Sequence, residues 1–386
     1  MWIGRLGLED FRSYARQEVA FAAGLNVVVG RNAQGKTNLL EAVHYLSGKG
    51  SPRGGDGALV RVGAERALLH GEVHQEQRTA RVDVEIRRGN AMRALINRIP
   101  ARGTRALGEV MATVFFGPEQ LSLVKGSPEG RRAFLDELAG NLRPARGHLR
   151  RDWERVLKQR NALLKSAPHG AAARPTRLTF EVWDANLCRT GAALTAARLE
   201  TLGRLLPYAR KRYEAVAGAG RINLFYASDW AERATVEQGL LAPGPALEKA
   251  LEGQLSVALE EVRTRELERG MSLVGPQRDD VEVATGTDEG PLLDARTHGS
   301  QGDQRTCALA LKLAEHDLVS EALGQEPVLL LDDVFSELDP DRRVWLADVV
   351  RGMGQVLITS AEPGVVAAVT PSSVLTVGGG KVVRDG

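Results

Sequence analysis

Apolar residues change their spacing along the chain, and each change predicts a different element. Near the start, Val27, Val28 and Val29 stand together as a buried strand would require, and Leu39, Leu40, Val43 and Leu46 follow at helical steps. Alternation over residues 68–73 and 80–86 predicts two antiparallel strands, with residues 87–90 (Arg-Arg-Gly-Asn) as the turn between strands. From about residue 128 the steps become three and four. Phe134, Leu135, Leu138, Leu142, Leu149, Trp153, Val156, Leu157, Leu163 and Leu164 fall in an Arg-rich stretch with few strand formers, which predicts helices. A break with Pro168, Gly170 and Pro175 separates these from a second helical stretch over about 180–217, through Trp183, Leu187, Leu194, Leu199, Leu202 and Leu206. Two such segments joined by a Pro/Gly break are expected to pack as an antiparallel hairpin. Residues 222–226 predict a strand, 242–245 a loop and 246–269 a further helix, after which α/β texture returns. The expected organisation is one α/β domain built from 1–125 and 271–386, with 126–270 inserted as a helical lobe.

The segment between the first strand and the first helix changes the picture from fold to chemistry. It reads Gly30, Arg31, Asn32, Ala33, Gln34, Gly35, Lys36, Thr37, a G-x-x-x-x-G-K-T phosphate loop in strand–loop–helix context. Glycines let the backbone curl so that several N–H groups converge on phosphate oxygens, and the helix that follows points its positive end at them. Lys36 is expected to reach the β- and γ-phosphates, and the Thr37 hydroxyl to ligate Mg²⁺.

A second apolar run, residues 327–339 (Pro-Val-Leu-Leu-Leu-Asp-Asp-Val-Phe-Ser-Glu-Leu-Asp), ends in paired acids. A buried strand that delivers carboxylates at its carboxyl edge is how phosphate-loop proteins complete a metal site, which assigns Asp332 to Mg²⁺ and Asp333 to polarising the attacking water. Upstream, Gly299, Ser300, Gln301, Gly302, Asp303 and Gln304 form a polar turn leading into a helix that carries Leu309, Leu311, Leu313 and Leu318. Taken alone, that turn is either an anion-binding helix start or an ordinary capped helix.

Composition adds limits rather than direction. The 386 residues are 43% hydrophobic and 26% charged, with a net charge of +2, so no strongly basic or acidic balance announces a partner. The two cysteines, Cys188 and Cys307, form no C-x-x-C pair, which fits a reducing cytosol and argues against a disulfide frame or zinc site. No apolar leader segment and no run of about eighteen apolar residues is visible, so the expectation is a cytoplasmic protein with no membrane partner.

The order of phosphate loop, polar turn before a helix, double acid and Ser-x-Leu-Asp (Ser336–Asp339) resembles the ABC-type ATPases, including SMC-like heads. Within them, residues 118–136, residues 275–280 (Gly-Pro-Gln-Arg-Asp-Asp), residues 10–14 and residues 329–343 resemble the RecF family of bacterial recombination mediators, nearly end to end. Two positions depart from that pattern, Gln277 where histidine is expected and Asp303 where glutamine or glutamate is usual.

The resemblance implies an ABC-type ATPase head, of the P-loop nucleoside triphosphate hydrolase fold, with an inserted helical arm. ATP would be sandwiched between two copies, with Ser300, Gln301 and Gly302 of one copy meeting the nucleotide of the other and residues 336–339 at the seam. Arg12 would touch phosphate. The implied activity is weak, DNA-stimulated ATP hydrolysis that ends an ATP-dependent homodimer on duplex DNA at single-strand gaps, acting with RecO and RecR in RecA loading, with links to replication restart and the SOS response. Candidate DNA contacts are Arg146, Arg150, Arg151, Arg155 and Arg160 on the first arm helix, and Arg87, Arg88 and Arg93 near the hairpin. Glu119, Gln120 and Thr359 are further candidates for the site. The main competing reading is the ATPase subunit of an ABC transporter, and a small-molecule kinase would explain the phosphate loop alone.

Overall fold

The computed structural model describes residues 1–76, 78–166, 177–233 and 244–384. Two compact units emerge, one of Met1–Leu121, Ala215–Gly218 and Ala308–Gly386, the other of Ser122–Glu214 and Ala219–Cys307. The first unit begins with β1 (Trp2–Phe11), β2 (Tyr14–Ala20), β3 (Leu25–Val29) and α1 (Lys36–Leu46). It continues with β4 (Arg66–Gln75), β5 (Arg78–Arg87), β6 (Arg93–Ile96), the two-residue β7 (Ile99–Pro100), α2 (Thr104–Val110) and β8 (Thr113–Phe116).

The second unit holds α3 (Pro128–Leu142), α4 (Leu149–Ser166), α5 (Arg177–Ala217, whose last residues count with the first unit), β9 (Arg221–Ala227), α6 (Pro245–Arg269), β10 (Asp280–Gly286) and β11 (Leu293–Asp294). Arg160 of α4 meets Asp184 of α5 at 2.7 Å, while Arg146 just before α4 meets Glu200 further along α5 at 2.6 Å, so α4 and α5 run antiparallel. The expected breaks at 167–175 and 242–243 lie outside the described residues. Strands β11, β10 and β9 form a three-stranded sheet in this unit. The α/β texture after Gly270 therefore belongs first to the second unit: β10 pairs along its whole length with β9, and the changeover comes at Cys307/Ala308 rather than at 271. The other changeover comes at Leu121/Ser122, close to the expected 125.

The chain closes with α7 (Gln301–Leu323), β12 (Val328–Asp332), α8 (Pro340–Arg351), β13 (Val356–Ser360), β14 (Ser373–Gly378) and β15 (Lys381–Arg384). The first unit has two six-stranded sheets, one ordered β2-β1-β4-β5-β6-β7 and antiparallel, the other ordered β15-β14-β3-β13-β12-β8 and parallel except at β15. Helix α1 touches β1 and β4 of the first sheet and β8, β12 and β13 of the second. That placement buries it on all sides, including Glu41 and His44, where the apolar spacing alone had indicated one stripe. Val27, Val28, Leu329, Leu330, Leu357 and Ile358 are fully buried, as strands covered on both faces must be. Among the described residues, no helix is long and apolar enough to cross a membrane.

Candidate nucleotide site

In the parallel sheet, β3, β13, β12 and β8 all point their carboxyl ends the same way, and loops at that edge carry the polar residues. The phosphate loop leaves β3 there. Gly35 stands at φ 110°, and a Cβ at this position would meet Ser13 Oγ at 2.8 Å and Tyr14 Oη at 3.0 Å, so the turn needs glycine. Tyr14 Oη also donates to the Gly35 carbonyl at 2.9 Å. Lys36 opens α1 and folds its ammonium back into the loop, donating to the carbonyls of Gly30 (2.7 Å) and Arg31 (3.1 Å). Burial lowers the Lys36 pKa, while the carboxylates of Asp333 and Asp332 work to raise it. Arg31, Asn32 and Ala33 are exposed at the loop tip, and Gln34 accepts from the Gly379 amide at 2.7 Å.

Thr37 and Asp332 come from segments nearly 300 residues apart, yet the Thr37 hydroxyl donates to Asp332 Oδ1 at 2.9 Å. Thr359, at the end of β13, donates to the same oxygen at 2.6 Å and accepts from the Asp333 amide at 2.9 Å. Burial raises the Asp332 pKa against the hydrogen bonds from Thr359 and Thr37. Asp333 differs from its neighbour. It leaves β12 in the left-handed region, at φ 54°, and its Oδ1 is buried without a hydrogen-bond partner. A strained residue holding an orphaned carboxylate oxygen is suited to a water that arrives with a ligand. A hydroxyl and a carboxylate in contact are a hard-oxygen donor pair that fits Mg²⁺, which takes few protein ligands and completes its shell with phosphate and water. No group of three or more His, Cys, Asp or Glu suited to a metal occurs among the described residues.

Arg12 is also at φ 53°, and its guanidinium grips Glu41 of α1 with two bonds of 2.8 Å. Arg53 reaches the same carboxylate at 2.7 Å and Asn38 Oδ1 at 2.7 Å, while Ser51 Oγ donates to Glu41 Oε1 at 2.5 Å. Burial alone would raise the Glu41 carboxyl, but the hydrogen bonds from Arg12, Ser51 and Arg53 outweigh it and hold the group below the usual carboxylate range. Arg53 acts electrostatically on Asp332 as well. Neither Arg53 nor Glu41 was singled out from sequence. Glu41, an acid one turn after Thr37 within the apolar run Leu39, Leu40, Ala42 and Val43, was the available signal. Gln120, a candidate from sequence, instead accepts from the Gly117 amide at 2.8 Å.

Ser300, Gln301 and Gly302 lie in the second unit at the start of α7. Ser300 Oγ donates to Asp303 Oδ2 at 2.7 Å, and the Asp303 amide donates back to Ser300 Oγ at 3.2 Å, a reciprocal cap closed by the residue that departs from the family pattern. In the first unit, Ser336 Oγ donates to the Asp333 carbonyl at 2.7 Å and Asp339 caps α8 through the Arg342 amide.

The later part of the family-like stretch 118–136, from Ser122 on, meets residues 275–280 within the second unit. Arg131 forks onto Asp280 (2.8 and 2.7 Å), Arg132 donates to the Asp279 carbonyl (2.6 Å), and Arg198 joins Asp136 to the Pro276 carbonyl. The Asp279 carboxylate accepts from Tyr226 Oη (2.7 Å) and Trp230 Nε1 (3.0 Å). The conspicuous arginines and aspartates of these stretches thus brace the unit internally. Of the candidate DNA contacts, Arg160 is fully buried and Arg146 is half-buried on Glu200, whereas Arg150, Arg155 and Arg87 remain exposed in surface pairs with Glu154, Asp152 and Glu85.

The family model described as the RecF/RecN/SMC N terminal domain matches residues 2–378. The chain belongs to the RecF family of SMC-like ABC-type ATPases. It is 45% identical over 391 residues to the DNA replication and repair protein RecF of Streptomyces avermitilis and 42% identical over 408 residues to that of Beutenbergia cavernae, with all of each chain covered. Among solved structures, the recombination mediator protein RecF with ATP, of the RecFOR pathway, superposes with a TM-score of 0.85 at 26% identity, covering 100% of this chain and 99% of that one. An Smc head bound to the C-winged helix domain of ScpA reaches a TM-score of 0.57 at 14% identity, covering 100% and 98%, a likeness of fold alone. The mixed α/β architecture of this RecF-family chain is accordingly that of the ABC-type ATPase head.

Proposed function

We propose that this chain is an ATP-dependent DNA-binding protein of recombinational repair, with weak, DNA-stimulated ATPase activity in the cytoplasm. The observation that carries the reading is the meeting of Thr37, Asp332 and Asp333 at the sheet edge beside Lys36. The names of its relatives, a DNA replication and repair protein and an ATP-bound recombination mediator, support the DNA side.

ATP phosphates sit on the loop amides at the α1 N-terminus, and the Lys36 ammonium leaves the Gly30 and Arg31 carbonyls for the β- and γ-phosphates. Thr37 and Asp332 would hold Mg²⁺, which would supply positive charge to neutralise the phosphates. Asp333 orients and polarises the attacking water through its unpaired oxygen, and Thr359 fixes the Asp333 backbone by accepting its amide. Gly30–Gly35 and Arg12 complete the grip on the nucleotide. A second copy supplies Ser300, Gln301 and Gly302, so ATP joins two protomers and its hydrolysis parts them. The dimer engages duplex DNA at single-strand gaps, working with RecO and RecR toward RecA loading, and so serves replication restart and the SOS response.

Light scattering combined with phosphate release tests this on Asp333→Asn. The variant is expected to persist as an ATP-bound dimer while turnover falls by about 10²–10⁴. Native turnover in the variant removes Asp333 from the reaction, and a native protein that stays monomeric with ATP and gapped duplex removes the dimer.

A further inference from the structure

At the free edge of the antiparallel sheet, β6, β7 and α2 enclose a groove of about 560 Å³ that the nucleotide chemistry does not use. Its lining includes Ile96, Ile99, Pro100 and Ala106. Ile99 is 69% exposed, although it sits in a strand paired back-to-back with Ile96. Ile99 thus offers an apolar side chain to water beside Ile96, Pro100 and Ala106, at the mouth of a concave surface.

The walls are prebuilt. Asn97 and Arg98 both take positive φ (51° and 68°), the geometry of a tight hairpin turn, and Asn97 is tied to β5 by accepting from the Arg81 amide at 2.9 Å and donating its own amide to the Arg81 carbonyl at 2.8 Å. The connection from β7 to α2 is fixed by the Ala101 amide on the Ala94 carbonyl, and the end of α2 by Gln75 on the Val110 carbonyl. Little ordering is needed when a ligand arrives.

The groove also carries an excess of positive charge, with Arg102 and Arg105 in its lining against Glu109. Arg102 lies in its lining and Arg98 in the adjoining turn, and neither has an acidic partner among the described residues. Arg105 has only the solvent-exposed Glu109, an i,i+4 pair of small worth. A phosphate backbone would answer the guanidiniums but has nothing to place against Ile96, Ile99 and Pro100. An acidic peptide carrying an apolar side chain answers both.

We infer that the β6–β7–α2 groove is a docking site for an acidic, extended segment of a partner protein, with one apolar anchor seated against Ile99 and carboxylates on Arg98 and Arg102. The proposal stands apart from the ATP reading, because no residue of the phosphate site contributes to it.

The test is fluorescence anisotropy of the full-length protein against a set of fluorescein-labelled acidic octapeptides, each carrying a single Leu, Ile, Phe or Trp anchor. Saturable binding is expected for at least one anchor, lost when the acids become amides. Ile99→Asp and Arg102→Glu are each expected to weaken it by about tenfold or more. Both residues are exposed, so circular dichroism and ATP binding are expected to stay native. No saturable binding across the set, binding indifferent to both substitutions, or displacement of bound peptide by a 30-base-pair duplex would each overturn the assignment.

Discussion

Glu41 and Arg160 are both fully buried charges, and they are neutralised in different ways. In the arm, Arg160 bonds Asp184, Glu266 and Ser272, while Arg263 takes the other Asp184 oxygen, so two arginines face two acids and the cluster is balanced. Beside the phosphate loop, one acid holds two arginines, Arg12 and Arg53, whose side chains keep 20% and 27% exposure. The balanced cluster ties α4, α5 and α6 together, whereas the other leaves a surplus positive charge, held rigidly, next to a site built for polyphosphate. Geometry of the same kind thus serves cohesion in one unit and electrostatics in the other.

Removing one member of each cluster separates these roles. Arg160→Ala strands Glu266 in the interior and leaves Asp184 to Arg263 alone, and the expected loss is about 3–5 kcal/mol, read as a shift in the urea midpoint, with ATP affinity unchanged. Glu41→Gln costs about 1–3 kcal/mol and leaves two guanidiniums to repel each other. Its expected signature is a severalfold fall in ATP turnover beyond what the stability loss explains. Native turnover in folded Glu41→Gln would reduce the second cluster to a brace like the first.

Acidification offers a finer contrast. Burial pushes the Asp279 carboxyl up to about 6 from 3.8, so the native state holds that proton more tightly than the unfolded chain. Its contribution is fully present below pH 3.8 and disappears as pH rises through 6. Burial pushes His44 down to about 3 from 6.5, so its contribution is present above 6.5 and lost on acidification. The second unit therefore gains from Asp279 between pH 7 and pH 5, where the first begins to lose through His44. Melting curves at the two pH values are expected to show a smaller gain, or a larger loss, in Asp279→Asn than in the native protein. Equal shifts would show that Asp279 does not titrate in this window.

Much of the first unit was legible because its signals are local. The phosphate loop, the β-branched run at 27–29 and the apolar run at 328–332 each declare an element within a few residues. Partnership was not legible. Nothing near Arg160 in sequence reveals Glu266, and nothing near Glu41 reveals Arg53, so one arginine that reads as a candidate DNA contact is internal, and the ion cluster at the site is invisible in sequence. The second changeover was misplaced for the same reason: β10 looks like any strand of an α/β head until its pairing with β9 is known. Asp303 shows the reverse, since a departure from the family pattern turned out to close the cap on Ser300.

Mixing two inactive variants tests the central claim most directly. Lys36→Met is expected to lack a usable phosphate loop, and under the proposed shared site Ser300→Arg places a bulky cation where a neighbour's nucleotide would enter. A mixed pair contains one site with the intact loop of one copy and the intact turn of the other. Equimolar mixing with gapped duplex is expected to restore ATP turnover that neither variant shows alone; full activity in Ser300→Arg by itself, or no recovery on mixing, would contradict a site shared between two copies.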